Sequence, residues 1–178
     1  MMLFNPYHDL YQLLRKLPEA ERLEARKKLI WAYSWAVPTA EVIYKIAKYS
    51  PLIELGSGTG YWGWLITQAG GQIQCLDHQP MQPPCWMEIH HGSPQSISER
   101  SERETLLLCW PPLNNPMSTQ SLRSYTGNTV IYIGEWRGRT AEADFHDELE
   151  TMWNLKETLD IPNWPNFSDR LYIFKRKK

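Results

Sequence analysis

Apolar positions along this chain follow two rhythms, and the change between them falls near residue 50. Leu10, Leu13, Leu14 and Leu17 recur at helical spacing until Pro18 interrupts them. Over 19–35 the spacing resumes, with Leu23, Ala25, Leu29 and Ile30 apolar against a mixed-charge face. Pro38 or Thr39 can open a further helix that runs through Tyr49. Beyond residue 50, strand-length apolar runs alternate with helical patterns. Strands are predicted over 51–55, 72–76, 86–89, 105–109 and 129–133, with Pro80, Pro83 and Pro84 marking a loop. A helix over about 60–69 stops at Gly70-Gly71, and another lies near 141–152. The stretches 155–160 and 170–176 read as an antiparallel pair. Such alternation predicts an α/β fold of three layers, a mostly parallel sheet with helices on both faces.

The first strand carries the most specific signal. Leu52, Ile53 and Leu55 suit a strand covered on both faces, and Glu54 is its one charge. Gly56, Gly58 and Gly60 follow in alternation, and 61–67 reads as the start of a helix. A strand-to-helix turn of this kind is expected to present bare backbone N–H groups to a ligand, helped by the positive end of the helix dipole. Taken literally, Gly58-Thr59-Gly60-Tyr61-Trp62-Gly63 fits the dinucleotide pattern G-x-G-x-x-G, which keeps an NAD-dependent oxidoreductase as an alternative.

With the strand ending at Leu55, the phase is Gly56-x-Gly58-x-Gly60 preceded by an acid. That phase resembles motif I of the class I S-adenosylmethionine (SAM)-dependent methyltransferases. The resemblance implies a Rossmann-like, seven-stranded core whose last strands form a hairpin, over 51–178, with residues 1–50 as an N-terminal helical cap. It implies SAM as cofactor, with Glu54 placing its amino group. Gly56, Ser57, Gly58, Gly60 and Tyr61 would line the same pocket.

Further positions agree with it. Asp77 closes the second strand 21 positions after Gly56, where nucleoside-binding folds place an acid on the ribose hydroxyls, and His78 is its neighbour. His90-His91-Gly92-Ser93 falls where related enzymes meet the adenine. Cys109 ends the fourth strand and joins the cofactor set. The stretch Trp110-Pro111-Pro112-Leu113 resembles motif IV of amino-group methyltransferases. There a polar residue replaces Trp110 and an aromatic one replaces Leu113, so adenine N6 chemistry is not implied. Trp110 becomes a candidate catalytic and substrate-packing residue, with Pro111 beside it. At the exit of strand five, Glu135 is the candidate general base and Arg137 a substrate contact, against the alternative of an exposed salt-bridged loop. Tyr33 and Trp35, upstream of the glycine loop, are candidates for the acceptor wall, against the plainer reading of a hydrophobic core.

Composition narrows the class. The 178 residues allow one domain, and 42% hydrophobic with 22% charged residues describes an ordinary globular chain. Nine Trp are the unusual component. A net charge of −1 gives no general attraction to polyanions, and Glu19, Glu21 and Glu24 dilute the basic Arg15–Lys28 region. Nucleic acid is therefore a partner the sequence does not favour, despite its basic tail. No run is long and apolar enough for a membrane span, and the start does not read as a signal peptide. Cys75, Cys85 and Cys109 read as reduced thiols, so a cytoplasmic location is expected. No metal site is expected, since the paired histidines lack further ligands. The methyl acceptor stays open, and a SAM-binding module without transfer activity is the second reading.

Overall fold

A computed structural model describes residues 3–100 and 102–178. Seven strands form one sheet in the order β3-β2-β1-β4-β5-β7-β6. They are β1 (Leu52–Leu55), β2 (Ile73–Asp77), β3 (His90–His91), β4 (Thr105–Cys109), β5 (Thr129–Gly134), β6 (Trp153–Asp160) and β7 (Arg170–Arg176). β1 pairs in parallel with β2 and β4, and β5 with β4, while β7 runs antiparallel to β5 and β6. Chain direction across the sheet reverses its order between β1 and β4. Ligands of open α/β sheets bind outside the carboxyl ends of strands at such a switch point. That places Glu54 and Cys109 at the centre of the candidate site.

Two hydrophobic layers flank the sheet, and the two-residue period of the strands feeds both. Leu52, Leu107, Ile131 and Ile173 point to the layer containing α1 (Pro6–Leu14), α3 (Ala40–Ala47) and α4 (Tyr61–Gln68). Ile53, Leu106, Leu108, Val130 and Tyr132 point to the other, with α5 (Pro94–Ser98), α6 (Met117–Ser124) and α7 (Ala143–Met152). The expected α/β sandwich is therefore the observed one. Helices α1 and α3 share the core of the first layer, where Tyr7, Val42, Ile43 and Ile46 pack with Leu65 and Ile66. Asn5 caps α1 by accepting from the His8 N–H at 3.1 Å, and Thr39 caps α3 by accepting from Val42 at 3.3 Å. The helix between them, α2 (Glu19–Ala32), ends three residues short of the expected stretch.

Three features differ from the sequence expectation. The third strand is not 86–89 but His90–His91, paired with Leu76 and Asp77. The earlier stretch is spent on the glycine loop: the Trp86 N–H donates to the Thr59 carbonyl at 2.9 Å, and the indole Nε1 donates to the Ala32 carbonyl at 2.7 Å. Its ring packs 4.6 Å from Trp64 and 4.9 Å from Tyr61. β6 starts at Trp153, because that indole is buried. Finally, α5 and α6 had no apolar stripe to announce them; α6 buries Ser118, Thr119 and Ser121 alongside Leu122. Among the described residues no helix is long and apolar enough to cross a membrane.

Candidate functional site

All three loop glycines are left-handed: Gly56 at φ +80°, Gly58 at +55° and Gly60 at +76°. Only glycine adopts that backbone without steric penalty, which explains the alternation. Gly60 caps α4, and a Cβ there would meet Met87 at 3.1 Å. A Cβ on Gly58 would meet nothing within 4 Å, so the loop opens onto free space at that residue. The loop amides differ from the expected bare row. Gly56 and Ser57 donate to the Leu76 carbonyl at 2.9 and 3.0 Å, and Gly58 donates to Asp77 Oδ2 at 3.0 Å. The strand-to-helix turn is short enough for β2 to satisfy these donors, and the cradle is formed by space.

Glu54 is buried beneath this loop, 1% exposed. Its Oε2 accepts from Cys75 Sγ at 3.6 Å, and no cation pairs with it among the described residues. Burial pushes its carboxyl up to about 7. A buried carboxylate without a cationic partner is a costly arrangement unless something supplies the charge. The carboxylate borders a cavity of about 70 Å³ that Gly56, Ser57, Gly58, Tyr33, Trp35 and Trp110 also line. A second cavity, of about 280 Å³, shares Trp35, Gly56, Gly58, Cys109 and Trp110 with the first and extends to Asp77, His78 and Pro111. The two form one elongated cleft along the switch point.

Most of the expected residues therefore converge. Glu54, Gly56, Ser57, Gly58, Cys109, Tyr33, Trp35 and Trp110 face the smaller cavity, with Asp77, His78 and Pro111 in the larger. Four others do not line it: Gly60, which caps α4 against Met87, and three side chains that turn elsewhere. The Tyr61 ring is in the core, its hydroxyl donating to Asn5 Oδ1 at 2.8 Å and accepting from the Tyr7 N–H at 3.1 Å. Glu135 is buried at the foot of its own loop. Its Oε1 accepts from the Ser168 N–H at 2.9 Å, while Oε2 accepts from the Arg139 N–H at 3.1 Å and pairs with that guanidinium. Both oxygens are committed, so Glu135 braces the turn after β5 and does not line the cleft. Arg137 points outward to Asp147 and Glu150, each at 2.7 Å, so the exposed salt-bridged alternative describes it.

Sequence reasoning missed the framework that holds Trp110. Trp110 has φ +53°, a strained backbone for a non-glycine residue. Two contacts hold it: its Nε1 donates to Asp169 Oδ1 at 2.8 Å, and its ring stacks on Trp35 at 4.8 Å. Asp169 is itself buried, which pushes its carboxyl up to about 6. Arg26 on α2 lies over Trp35, Trp110 and Phe167, at 5.4, 5.7 and 3.8 Å from their ring centres. The signal for Arg26 was its register, four residues before Ile30 and seven before Tyr33, both of which line the cleft. Among the described residues no three metal-ligating side chains come together.

The fold can now be set beside known proteins. No family model matches the chain, and no curated protein matches its sequence. Solved structures do match. A methyltransferase from Geobacter sulfurreducens is similar over 100% of this chain and 99% of its own, at 15% identity and a TM-score of 0.54. Magnesium protoporphyrin IX methyltransferase from Synechocystis PCC 6803, solved with bound SAM, is similar over 77% of each chain, at 13% identity and a TM-score of 0.52. The likeness defines an architecture: the seven-stranded Rossmann-like sheet with a reversed last strand. That is the fold of the class I SAM-dependent methyltransferases, and this chain has it.

Proposed function

We propose that this protein is a SAM-dependent methyltransferase. The observation that carries this reading is Glu54: a buried carboxylate lacking a cation, at the carboxyl end of β1, beneath a left-handed glycine loop. An amino-acid ammonium arriving with the cofactor supplies the missing charge. Gly56, Ser57 and Gly58 leave room for the methionine part, and Asp77 and His78 border the larger cavity where the adenosine part fits. Asp77 keeps lone pairs for ribose hydroxyls while accepting from Gly58 and Gln79.

When bound, SAM supplies a methyl group on a good leaving group, so transfer needs alignment and dryness more than a fixed base. This chain's residues serve those needs. Residues 3–50 act as a cap that brings Tyr33 and Trp35 over the glycine loop, excluding water. Trp110, fixed by Asp169 and Trp35, sets the floor against which an acceptor is aligned. Asp169 serves that alignment by holding the Trp110 indole, since it lines neither cavity.

Thermal shift and calorimetry with SAM, S-adenosylhomocysteine (SAH) and NAD test the cofactor. Stabilisation by SAM and SAH is expected, and stabilisation by NAD alone overturns the reading. A second reading, a SAM-binding module without transfer, draws on the bulky Trp110 at the position where motif IV carries a polar residue. Radiolabelled transfer from SAM into fractionated extract decides between them: label in any pool supports the enzyme, and none across protein, nucleic-acid and metabolite pools supports the module.

A further inference from the structure

The tryptophans of this chain divide by what their indole N–H groups do. Those of Trp62, Trp86 and Trp110 donate to protein acceptors: Ser34 Oγ at 3.2 Å, the Ala32 carbonyl at 2.7 Å and Asp169 Oδ1 at 2.8 Å. Trp31 and Trp35 make no such bond among the described residues. Both line the smaller cavity and both reach solvent, Trp31 at 64% exposure and Trp35 at 37%. Their rings meet at 6.0 Å and 69°, an angled corner at the mouth of the cleft. Met81 lines the same cavity, Pro112 the larger one, and Leu113 next to Pro112 is also exposed. The cleft thus opens through an apolar rim, and contiguous apolar surface around a cavity marks a binding face.

Charge inside the cleft has one sign. Glu54 and Asp77 line it, and no Lys or Arg does so among the described residues. His78 lies with Asp77 in the part assigned to adenosine. Under the proposed function Glu54 meets the cofactor ammonium and Asp77 the ribose. The amides of Gly56, Ser57 and Gly58 are already bonded within the protein. Nothing is left in the lining to hold a carboxylate or phosphate, which needs cations or aimed N–H groups. Size adds a second constraint. Whole ligands occupy pockets of about 300 Å³ upward. The smaller cavity, about 70 Å³, admits a reacting group, while the ring that carries it stays on the rim.

From this arrangement we infer that the methyl acceptor is an uncharged planar aromatic molecule bearing a hydroxyl group. Its ring packs into the corner of Trp31 and Trp35, and its hydroxyl points into the smaller cavity. Transfer there balances: the hydroxyl oxygen's lone pair forms the bond to the methyl carbon, the electron pair of the broken carbon–sulfur bond stays on sulfur as SAH, and the hydroxyl proton leaves to solvent at the mouth. That the molecule is the acceptor rests on the methyltransferase reading, while the ring site stands on Trp31 and Trp35 themselves.

The test sets each aromatic alcohol against its ring carboxylate: phenol against benzoate, 2-naphthol against 2-naphthoate and 5-hydroxyindole against indole-5-carboxylate. Cyclohexanol and decahydro-2-naphthol are the saturated controls for the first two. Binding to the full chain is followed by calorimetry with and without SAH. At least one aromatic alcohol should bind about tenfold tighter than its carboxylate, and phenol or 2-naphthol should exceed its saturated control by a similar factor. Trp31→Ala should remove the preference for flat rings, and Trp31→Phe should keep most of it. Equal binding within every pair, a preference for the carboxylates, or no binding at all overturns the inference, and this wild-type comparison does not depend on any variant folding. SAH binding is read separately. Ring preference without SAH binding would sink the methyltransferase reading and leave the ring site, whereas SAH binding without ring preference would do the reverse.

Discussion

The half of the cleft that the proposed function gives to the cofactor and the half it gives to the acceptor are built in opposite ways. The cofactor half is made by the backbone: left-handed glycines, a strand end and two acids, all within residues 54–78. The acceptor half is made by side chains from distant parts of the chain. Arg26, Trp35, Trp110, Phe167 and Asp169 meet only when α2, the β4 exit and the turn before β7 are packed together. Glu54 on one side has no cationic partner among the described residues, whereas Arg26 on the other lies in the field of the buried Asp169 and Glu135 carboxylates.

The largest expected effect separates the halves directly. Glu54→Gln should weaken SAH binding by about 3 kcal/mol, the scale of a hydrogen bond to a charged group in a buried site. Because the burial penalty disappears with the charge, the same variant should melt higher than wild type above pH 7 without ligand. Calorimetry and thermal melts at pH 8 check both, and a variant that binds SAH normally would dissolve the distinction.

A pH series sharpens it. Glu54 has an ordinary carboxyl value of 4.5 when unfolded and about 7 when folded. Between those values the folded state holds the proton that the unfolded state has released. Stability of the ligand-free protein should therefore fall as pH rises from 4.5 to 7, by about 3 kcal/mol, and stay level above that. Asp169 acts in the same direction, with its window ending near 6. Urea unfolding across this range is the measurement, and Glu54→Gln should leave only the shallower slope. SAH affinity should rise over the same window, with proton release on binding, because the anchoring carboxylate must ionise.

Asp77→Ala should weaken SAH binding by ~1–3 kcal/mol through lost ribose hydrogen bonds. Unchanged affinity would remove Asp77 from the cofactor half and leave it as a brace for Gly58. The smallest effect belongs to the other half. Phe167→Ala removes a ring that two guanidinium groups flank, and should lower stability by about 1 kcal/mol. SAH affinity should stay within about twofold. A tenfold loss in calorimetry would mean that the two halves are one mechanical unit.

Legibility followed the same division. The meeting of Glu54, Gly56, Gly58 and Asp77 could be read because it depends on backbone conformation and short spacing, both of which local sequence encodes. The parallel strands were readable as apolar runs for the same reason. Glu135 and Arg137 were misplaced because a carboxylate and a guanidinium at a strand exit look alike in sequence whether they face a cleft or, as here, pair with Arg139 and with Asp147 and Glu150. Arg26 was hidden inside a mixed-charge helix, where a solvated face is the ordinary outcome. Trp86 looked like a strand residue, and its partners Ala32 and Thr59 lie 54 and 27 positions away.

The order of apolar runs and glycines alone determined the α/β sandwich and the ligand-facing turn, since both arise from contacts among near neighbours and from the period of the backbone. Packing of the first thirty-odd residues and of the 163–169 turn against the sheet decided what stands opposite that turn. Ring stacking, the Arg26 guanidinium over Phe167 and a strained Trp110 depend on separations of up to 141 residues. Over such distances no local preference acts, and only the closed core brings the groups together.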